Sequence, residues 1–455
     1  MRVALGTTVL RKAEQTGHLD GIAVYTQNLL KQIPALGISS TRYAFLPEQG
    51  DPGCTSLGRF SYQAVASAAT GCPLFRSMHV EQNADLFHAT DHYIPKLENV
   101  PVVATIMDPI SLAHPEWVAG RGRWLKNALF KKTAQWADHI ITISDYAADA
   151  IQEHFAVPAS RISVTPLGVD ENCFKRVSEE QKLAVLSRYN LPSNYFVFIG
   201  TLQPRKNIER LLDAFLQLPE QLQQQHPLVI VGREGWSSEA LVQRLRRLAL
   251  SRKVYWLDYV PFEDKYALLQ ASLAMVFPSL YEGFGLPVLE AFASNTPVIS
   301  SNLTSLPEVA ADAAMLINPY VVDDIAQAME TVAQDEALRQ GLQQKGAERV
   351  KQFSWEMTAQ KTMQIYRTLA WKSNRHMQPF IKQQDKQQHF AVCLLITLVL
   401  LPFLGVILST LITFIIGLSK EIWDKYYGSG FCWYDMLANF MGWLSAICIY
   451  GLLTM

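Results

Sequence analysis

The chain has 455 residues, 49% of them hydrophobic, and its 40 Lys and Arg against 41 Asp and Glu leave a net charge of −1. That length exceeds what one hydrophobic core usually supports, so two large domains with an appendage are expected. A balance so near neutral argues against nucleic acid as the main partner, and six cysteines scattered at 54, 72, 173, 393, 432 and 448 include no close pair of the zinc or redox type.

The N-terminus, Met1 to Gly6, turns polar too soon for a signal peptide, so the globular part is expected in a reducing cytoplasm. Arg2 to Gly6 reads as a first strand, followed by a glycine turn at Gly17 to Ile22 and a helix carrying Tyr25 and Leu29. Leu86 to His92 and Val102 to Asp108 read as strands that end in polar residues, at the edge where ligands bind in doubly wound sheets. This makes His88, His92 and Asp108 candidates to face a second substrate. A lone histidine is more often a satisfied core or surface group, and that alternative stands beside the functional one. Ile140 to Ser144 and Val164 to Asp170 close a first domain spanning 1–175, and the charged stretch Lys175 to Lys182 reads as a linker.

A second α/β domain is expected over 183–350. Tyr195 to Ile199 is a buried strand running into Gly200-Thr201-Leu202-Gln203-Pro204-Arg205-Lys206-Asn207, with Asn207 as N-cap and Ile208, Leu211, Leu212, Phe215 and Leu216 at helical spacing. Arg205 and Lys206 thus stand at the mouth of a helix, where a guanidinium fork and a compact ammonium suit a diphosphate. Leu228 to Gly232, Ala274 to Phe277 and Pro297 to Ser300 are further parallel-strand candidates. The run Phe277 to Glu290, FPSLYEGFGLPVLE, sets Glu282 and Glu290 around a glycine-aromatic-glycine turn. Gly283 and Gly285 allow close backbone approach, and Pro287 fits a first helical turn. Strand, turn and helix N-terminus together attract phosphate. The plainer alternatives are a solvated basic cap at Arg205-Lys206, a loop carboxylate at Glu282 and a helix-dipole partner at Glu290. Asp323-Asp324 is the nearest approach to a divalent-cation pair and reads as a helix start.

These two motifs, with their paired glutamates, resemble the retaining glycosyltransferases of family 4, and the resemblance covers most of residues 1 to 370. It implies a GT-B fold with the donor in the cleft between two doubly wound Rossmann-like domains. It also implies that Glu282 lies near the donor sugar, that Glu290 contacts the nucleotide ribose, and that Arg205 and Lys206 hold the diphosphate. Gly283, Phe284, Gly285 and Leu286 would supply backbone contacts, and Gly21 belongs to a segment that resembles the family's glycine turn. One departure stands out: many relatives read Thr-Ile-His-Asp where this chain has Thr105-Ile106-Met107-Asp108. Leu86 to Pro95 and Thr105 to Trp117 look most like mannosyltransferases using GDP-mannose. A nucleoside diphosphate leaves readily once its charge is stabilised, so no metal or other cofactor is expected beyond the nucleotide sugar.

Phe353 to Leu369 is helical in pattern, and the resemblance implies that residues 351–380 cross back onto the first domain. Beyond them, Phe390 to Leu418 carries no charged side chain over a run longer than the ~20 residues that span a bilayer. A C-terminal α-helical transmembrane region over 385–455 is therefore expected. Lys372, Arg375, Lys382 and Lys386 place its start on the cytoplasmic side of the inner membrane. Met436 to Leu453 is a second apolar stretch. Pro402 and Gly405 either kink one long helix or divide it into a hairpin, which gives two or three spans. Asp385 to Phe390, Lys420 to Asp424, Asp435 and Asn439 resemble small VanZ-like membrane proteins, or serve as interfacial anchors. The whole reads as a membrane-anchored transferase acting on a lipid-linked or polysaccharide acceptor of bacterial surface glycan. Its rival is a catalytically silent sugar-nucleotide-binding module marked by Met107.

Overall fold

The computed structural model describes the backbone of residues 1–17, 20–46, 53–74, 76–117, 122–376, 379–427 and 433–454, and their side chains except at 371–391, 403, 420–438 and 451–454. In the first domain, β1 (Arg2–Gly6), β2 (Ser39–Ala44), β3 (Cys54–Ser56), β4 (Leu86–Ala89), β5 (Val102–Thr105), β6 (His139–Thr142) and β7 (Ile162–Val164) form a seven-stranded sheet ordered β3-β2-β1-β4-β5-β6-β7. The second holds β8 (Phe196–Ile199), β9 (Leu228–Val231), β10 (Val254–Leu257), β11 (Ala274–Phe277), β12 (Val298–Ser301) and β13 (Met315–Ile317), ordered β10-β9-β8-β11-β12-β13. Adjacent strands are parallel in both sheets. This suits strands such as Leu228–Val231 and Ala274–Phe277, which are apolar throughout and buried along their whole length, because helices cover both faces of a parallel sheet. The result is the two Rossmann-like domains that the resemblance implied.

Register lines up the strand ends that carry function. Gly6 pairs with Ala89, Ala89 with Ala104 and Thr105 with Ile141, so the loops after β4, β5 and β6 leave from one edge. Phe277 pairs with Ser300, which likewise places the loops after β11 and β12 side by side.

The helix Trp355–His376 packs against the first domain. Thr358 Oγ1 donates to the Pro166 carbonyl at 2.7 Å, and the Tyr366 hydroxyl meets His88 Nδ1 at 2.5 Å. Gly168 permits the return, since a Cβ there would collide with the Ser354–Trp355 backbone, and Val169 and Ser354 form a parallel bridge beside it. Three local expectations differ. The stretch read as a linker contains the start of a helix, Glu179–Arg188, whose Ser178 and Gln181 make a capping box. Asn207 precedes the helix Ile208–Gln217 but does not cap it; held at φ 60°, its Nδ2 instead donates to the carbonyls of Pro278 (3.0 Å) and Pro319 (2.7 Å). Leu216 is 40% exposed, while Ile208, Leu211, Leu212 and Phe215 are buried.

In the tail, the helical element Pro379–Tyr427 breaks at Gly405 (φ 69°, ψ 174°). Thr397 Oγ1 lies 3.1 Å from Thr413 Oγ1, a contact that two residues sixteen apart make only if the chain doubles back between them. The helix Trp433–Thr454 packs beside both arms: the Cys393 thiol donates to Asn439 Oδ1 (3.1 Å) and Trp443 Nε1 to Thr410 Oγ1 (2.9 Å). Among the described residues, no helix is long and apolar enough to cross a membrane. The side chains of Asp385 to Phe390, Lys420 to Asp424 and Asp435 lie outside the described residues.

Candidate active site

β8 and β11 are neighbours, and the turns that follow them meet. The turn Pro204–Lys206 after β8 carries the two cations, and the loop between β11 and the helix Leu286–Ala293 carries Glu282. The Leu280 N–H donates to the Arg205 carbonyl (2.8 Å), binding turn to loop. Arg205 Nη1 then donates to Glu282 Oε2 (2.9 Å) and to the Tyr281 carbonyl (3.0 Å), while Lys206 Nζ donates to Glu282 Oε1 (2.5 Å) and lies 4.8 Å from the centre of the Phe277 ring. Burial alone would raise the Glu282 carboxyl, but the Lys206 and Arg205 charges outweigh it and bring it down to about 2. For Lys206 burial wins: its ammonium sits below the ordinary value although Glu282 pulls the other way. The site thus holds a carboxylate forked between two preorganised cations.

The backbone of this loop is pinned from β12. The Glu282 N–H donates to Thr304 Oγ1 (3.2 Å), and the Ser305 hydroxyl lies within donating reach of the carbonyls of Glu282 (2.9 Å) and Phe284 (2.8 Å). Thr304 adopts φ 57°, an unfavourable conformation for a β-branched residue. Gly285 at φ 122° opens the helix, and a Cβ on it would come 2.7 Å from the Leu306 side chain. A Cβ on Gly283 would come 2.8 Å from Asp108 Oδ2 and 3.1 Å from the Met107 carbonyl, so the first domain closes directly onto this glycine.

Asp108 is accordingly brought to the site. Its Oδ1 accepts from the Ile110 N–H (3.0 Å), and burial raises its carboxyl above the ordinary value, an effect that this bond and the nearby Arg205 only partly offset. His88 is not brought there. It is fully buried, with Nδ1 against Tyr366 Oη and Nε2 2.7 Å from Thr105 Oγ1. The expectation that it faces an acceptor is corrected: it is a satisfied core histidine joining β4 and β5 to the returning helix. His92 is exposed, with its ring 4.2 Å from that of Tyr93. Glu290 falls in the second turn of its helix rather than the first, and accepts from Lys265 Nζ at 2.6 Å. The Phe284 ring is buried against Phe353, centroids 5.8 Å apart, and its carbonyl is within reach of the Ser305 hydroxyl. Leu286 begins the helix Leu286–Ala293 and is half-buried. Gly21 begins the helix Gly21–Gln32 with open space where a Cβ would be. His18 and Leu19 of the same turn lie outside the described residues.

Four further residues belong to the site's surroundings without a strong signal in the sequence: Tyr281, Ser144, Thr304 and Glu308. Tyr281 is buried beside the rings of His114 (5.2 Å), Tyr146 (5.9 Å) and Trp117 (6.3 Å). Ser144 carries one usable cue, since a serine before Asp145 at a strand-to-helix junction is an N-cap signal.

Two Rossmann-like domains that meet over a carboxylate and two cations at a loop-to-helix junction have the arrangement of a GT-B glycosyltransferase. The chain belongs to the family 4 glycosyltransferases: the model described as Glycosyltransferase Family 4 matches residues 19–172, and that described as Glycosyl transferases group 1 matches 185–349. Both matches end before the tail. The chain is similar to the Escherichia coli O-antigen chain mannosyltransferase B, 37% identical over 287 residues that make up 62% of this chain and 74% of that one. It is also similar to the E. coli serotype-specific mannosyltransferase WbdA, 32% identical over 58% of this chain and 33% of that one. Among solved structures it resembles sucrose-phosphate synthase from Thermosynechococcus elongatus, with TM-score 0.63 and 21% identity over 81% of this chain and 99% of that one, which is a likeness of fold. The protein is therefore a glycosyltransferase.

Proposed function

We propose that this enzyme is a retaining, metal-independent mannosyltransferase that moves mannose from GDP-mannose to a lipid-linked acceptor of surface-glycan assembly. The observation that carries the reading is Glu282 forked between Arg205 and Lys206 while Asp108 arrives from the other domain. Arg205 and Lys206 bind and stabilise the departing diphosphate, and fixed cations in a buried site do so without reorganising. The diphosphate accepts the acceptor hydroxyl's proton on the face it leaves, which preserves the anomeric configuration. Glu282 holds both cations in place and lies beside the sugar, and Glu290 takes the ribose.

GDP-mannose is favoured because a relative named as an O-antigen chain mannosyltransferase is 37% identical to this chain over 287 residues. The lipid part rests on the tail, whose polarity runs from inside to outside. Thr397, Ser409, Thr413 and Asn439 are buried, whereas Leu395, Val399, Ile407, Leu411, Phe414 and Ile415 are exposed. Apolar surface outside, with the Thr397 and Thr413 hydroxyls hydrogen-bonded inside, suits hydrocarbon surroundings. The tail would hold the enzyme at the cytoplasmic face of the inner membrane.

The test is transfer of labelled sugar into membrane lipid by the full-length protein, comparing GDP-mannose, UDP-glucose and UDP-galactose, with Glu282→Ala in parallel. Lipid label from GDP-mannose that the variant does not produce is expected. Label from a uridine donor alone would overturn the donor, and label from none would overturn the reading.

A further inference from the structure

The short segment after β12 does more than pin the donor loop. Three residues beyond Ser305, the Glu308 carboxylate crosses to the first domain and accepts from the N–H of Asp145 (Oε1 2.9 Å, Oε2 3.0 Å) and of Tyr146 (Oε2 3.3 Å), the first two residues of the eleven-residue helix Asp145–Phe155. Those donors have no partner within their own helix, and the helix dipole favours a carboxylate there. Ser144 completes the crossing. Its Oγ accepts from the Ala147 N–H (3.0 Å) as N-cap and donates to the Gly283 carbonyl (2.7 Å). From behind, Arg349 fixes the Glu308 helix, donating to the carbonyls of Val309 (Nε, 3.0 Å) and Glu308 (Nη2, 2.7 Å).

One helix N-terminus is thus tied to the donor loop along two routes. Ser144 reaches it directly, and Glu308 reaches it through Ser305 and Thr304, which hold the backbone on either side of Gly283. Gly283 is also the point against which Asp108 and Met107 close. We infer that Glu308 and Ser144 are positioning residues that clasp the two domains over the donor and set Asp108 against the Glu282–Arg205–Lys206 site. Neither residue touches the reacting atoms. The inference rests on the transferase reading, and it assigns donor binding chiefly to the second domain and productive alignment to the clasp. Its loss therefore lowers turnover while leaving nucleotide affinity nearly intact.

The experiment uses the full-length enzyme with Glu308→Ala, Glu308→Gln, Ser144→Ala and the Glu308→Ala/Ser144→Ala double variant. It reads kcat and KM with the donor that supports wild-type turnover, GDP or UDP affinity by calorimetry, melting temperature, and radius of gyration by small-angle scattering. For the double variant, kcat is expected to fall about tenfold to a hundredfold, the range that misplacement of a reacting group costs, with nucleotide Kd changed less than about threefold and a larger radius of gyration. Glu308→Gln keeps an acceptor oxygen for one of the two N–H groups and should recover part of the loss. Wild-type kcat in the double variant would overturn the inference. So would a loss of kcat that tracks the melting temperature with no gain in radius and no difference between Gln and Ala at 308. Absence of transfer by the wild-type enzyme itself would instead count against the transferase reading.

Discussion

Glu282 lies between a buried and a half-buried cation that a diphosphate also seeks, so its removal acts on stability and on binding in opposite directions. Glu282→Ala leaves the buried Lys206 and the half-buried Arg205 without their counter-charge, which should lower stability by about 3 kcal/mol, near the low end of what a broken buried pair costs. Added nucleoside diphosphate should restore part of that, so GDP is expected to raise the melting temperature of the variant more than that of the wild type. The pH dependence has a definite sign. Because the folded carboxyl sits at about 2, below its ordinary 4.5, its contribution is complete above about pH 4.5 and is lost as pH falls toward 2. Denaturant titrations across that window should show an acid limb in the wild type that Glu282→Gln lacks. Lys206→Met tests the other partner: losing one preorganised charge at the leaving group should cut kcat about 10² to 10³-fold in the sugar-transfer assay. Gly283→Ala probes the approach of the domains, since its Cβ would stand 2.8 Å from Asp108 Oδ2. It should leave the melting temperature near the wild-type value yet lower turnover in the sugar-transfer assay.

At the scale of elements, the returning helix Trp355–His376 is anchored by a histidine that the polar strand ending made look functional. Burial holds the His88 imidazole at about 3, far below its ordinary 6.5. The unfolded chain takes up that proton below pH 6.5 while the folded one does not, so stability is full above about 6.5 and drains as pH falls toward 3, by about 2 kcal/mol at pH 5. His88→Gln should flatten this part of the profile in melts between pH 7 and 5. Tyr366→Phe, which strips Nδ1 of its partner, should cost about 1 to 3 kcal/mol without changing donor KM. The strands themselves were legible, because runs such as Leu228–Val231 are apolar on both faces and bounded by turns. The donor loop was legible too, since Gly285 takes a positive φ that the local backbone imposes. Ser144, Thr304 and Glu308 were not. Ser144 meets Gly283 across 139 residues and Glu308 meets Asp145 across 163, and no local pattern encodes such a partner. Thr304 carries a positive φ that its residue type disfavours, so its role shows only once Glu282 is seen to donate to it. His88 failed for the converse reason: a strand end marks the functional edge, but burial under a helix 278 residues away decides what the side chain does.

In the whole molecule, a two-domain catalytic unit and an apolar tail share the work. The tail's packing is polar at its centre, where Thr397 meets Thr413 and Cys393 meets Asn439, and a Cβ on Gly417 would stand 3.1 Å from the Asn439 amide. If that bundle serves to keep the enzyme beside a lipid acceptor, its effect is on concentration and not on chemistry, because confinement to a bilayer raises the local concentration of a lipid-borne substrate. Deleting residues 380–455 should then leave transfer to a soluble acceptor fragment at the wild-type rate while transfer to the same acceptor on lipid vesicles falls by about 10² or more. Equal losses on both acceptors would mean that the tail supports the catalytic fold. Equal retention on both would separate the tail from glycosyl transfer altogether and make it a lipid-handling unit joined to the enzyme. A substitution within the bundle sharpens the comparison. Asn439→Leu keeps the apolar exterior but removes the central amide, so it should lower transfer on vesicles only if the arms must pack together, and the purified chain's co-sedimentation with vesicles would show whether attachment itself was lost.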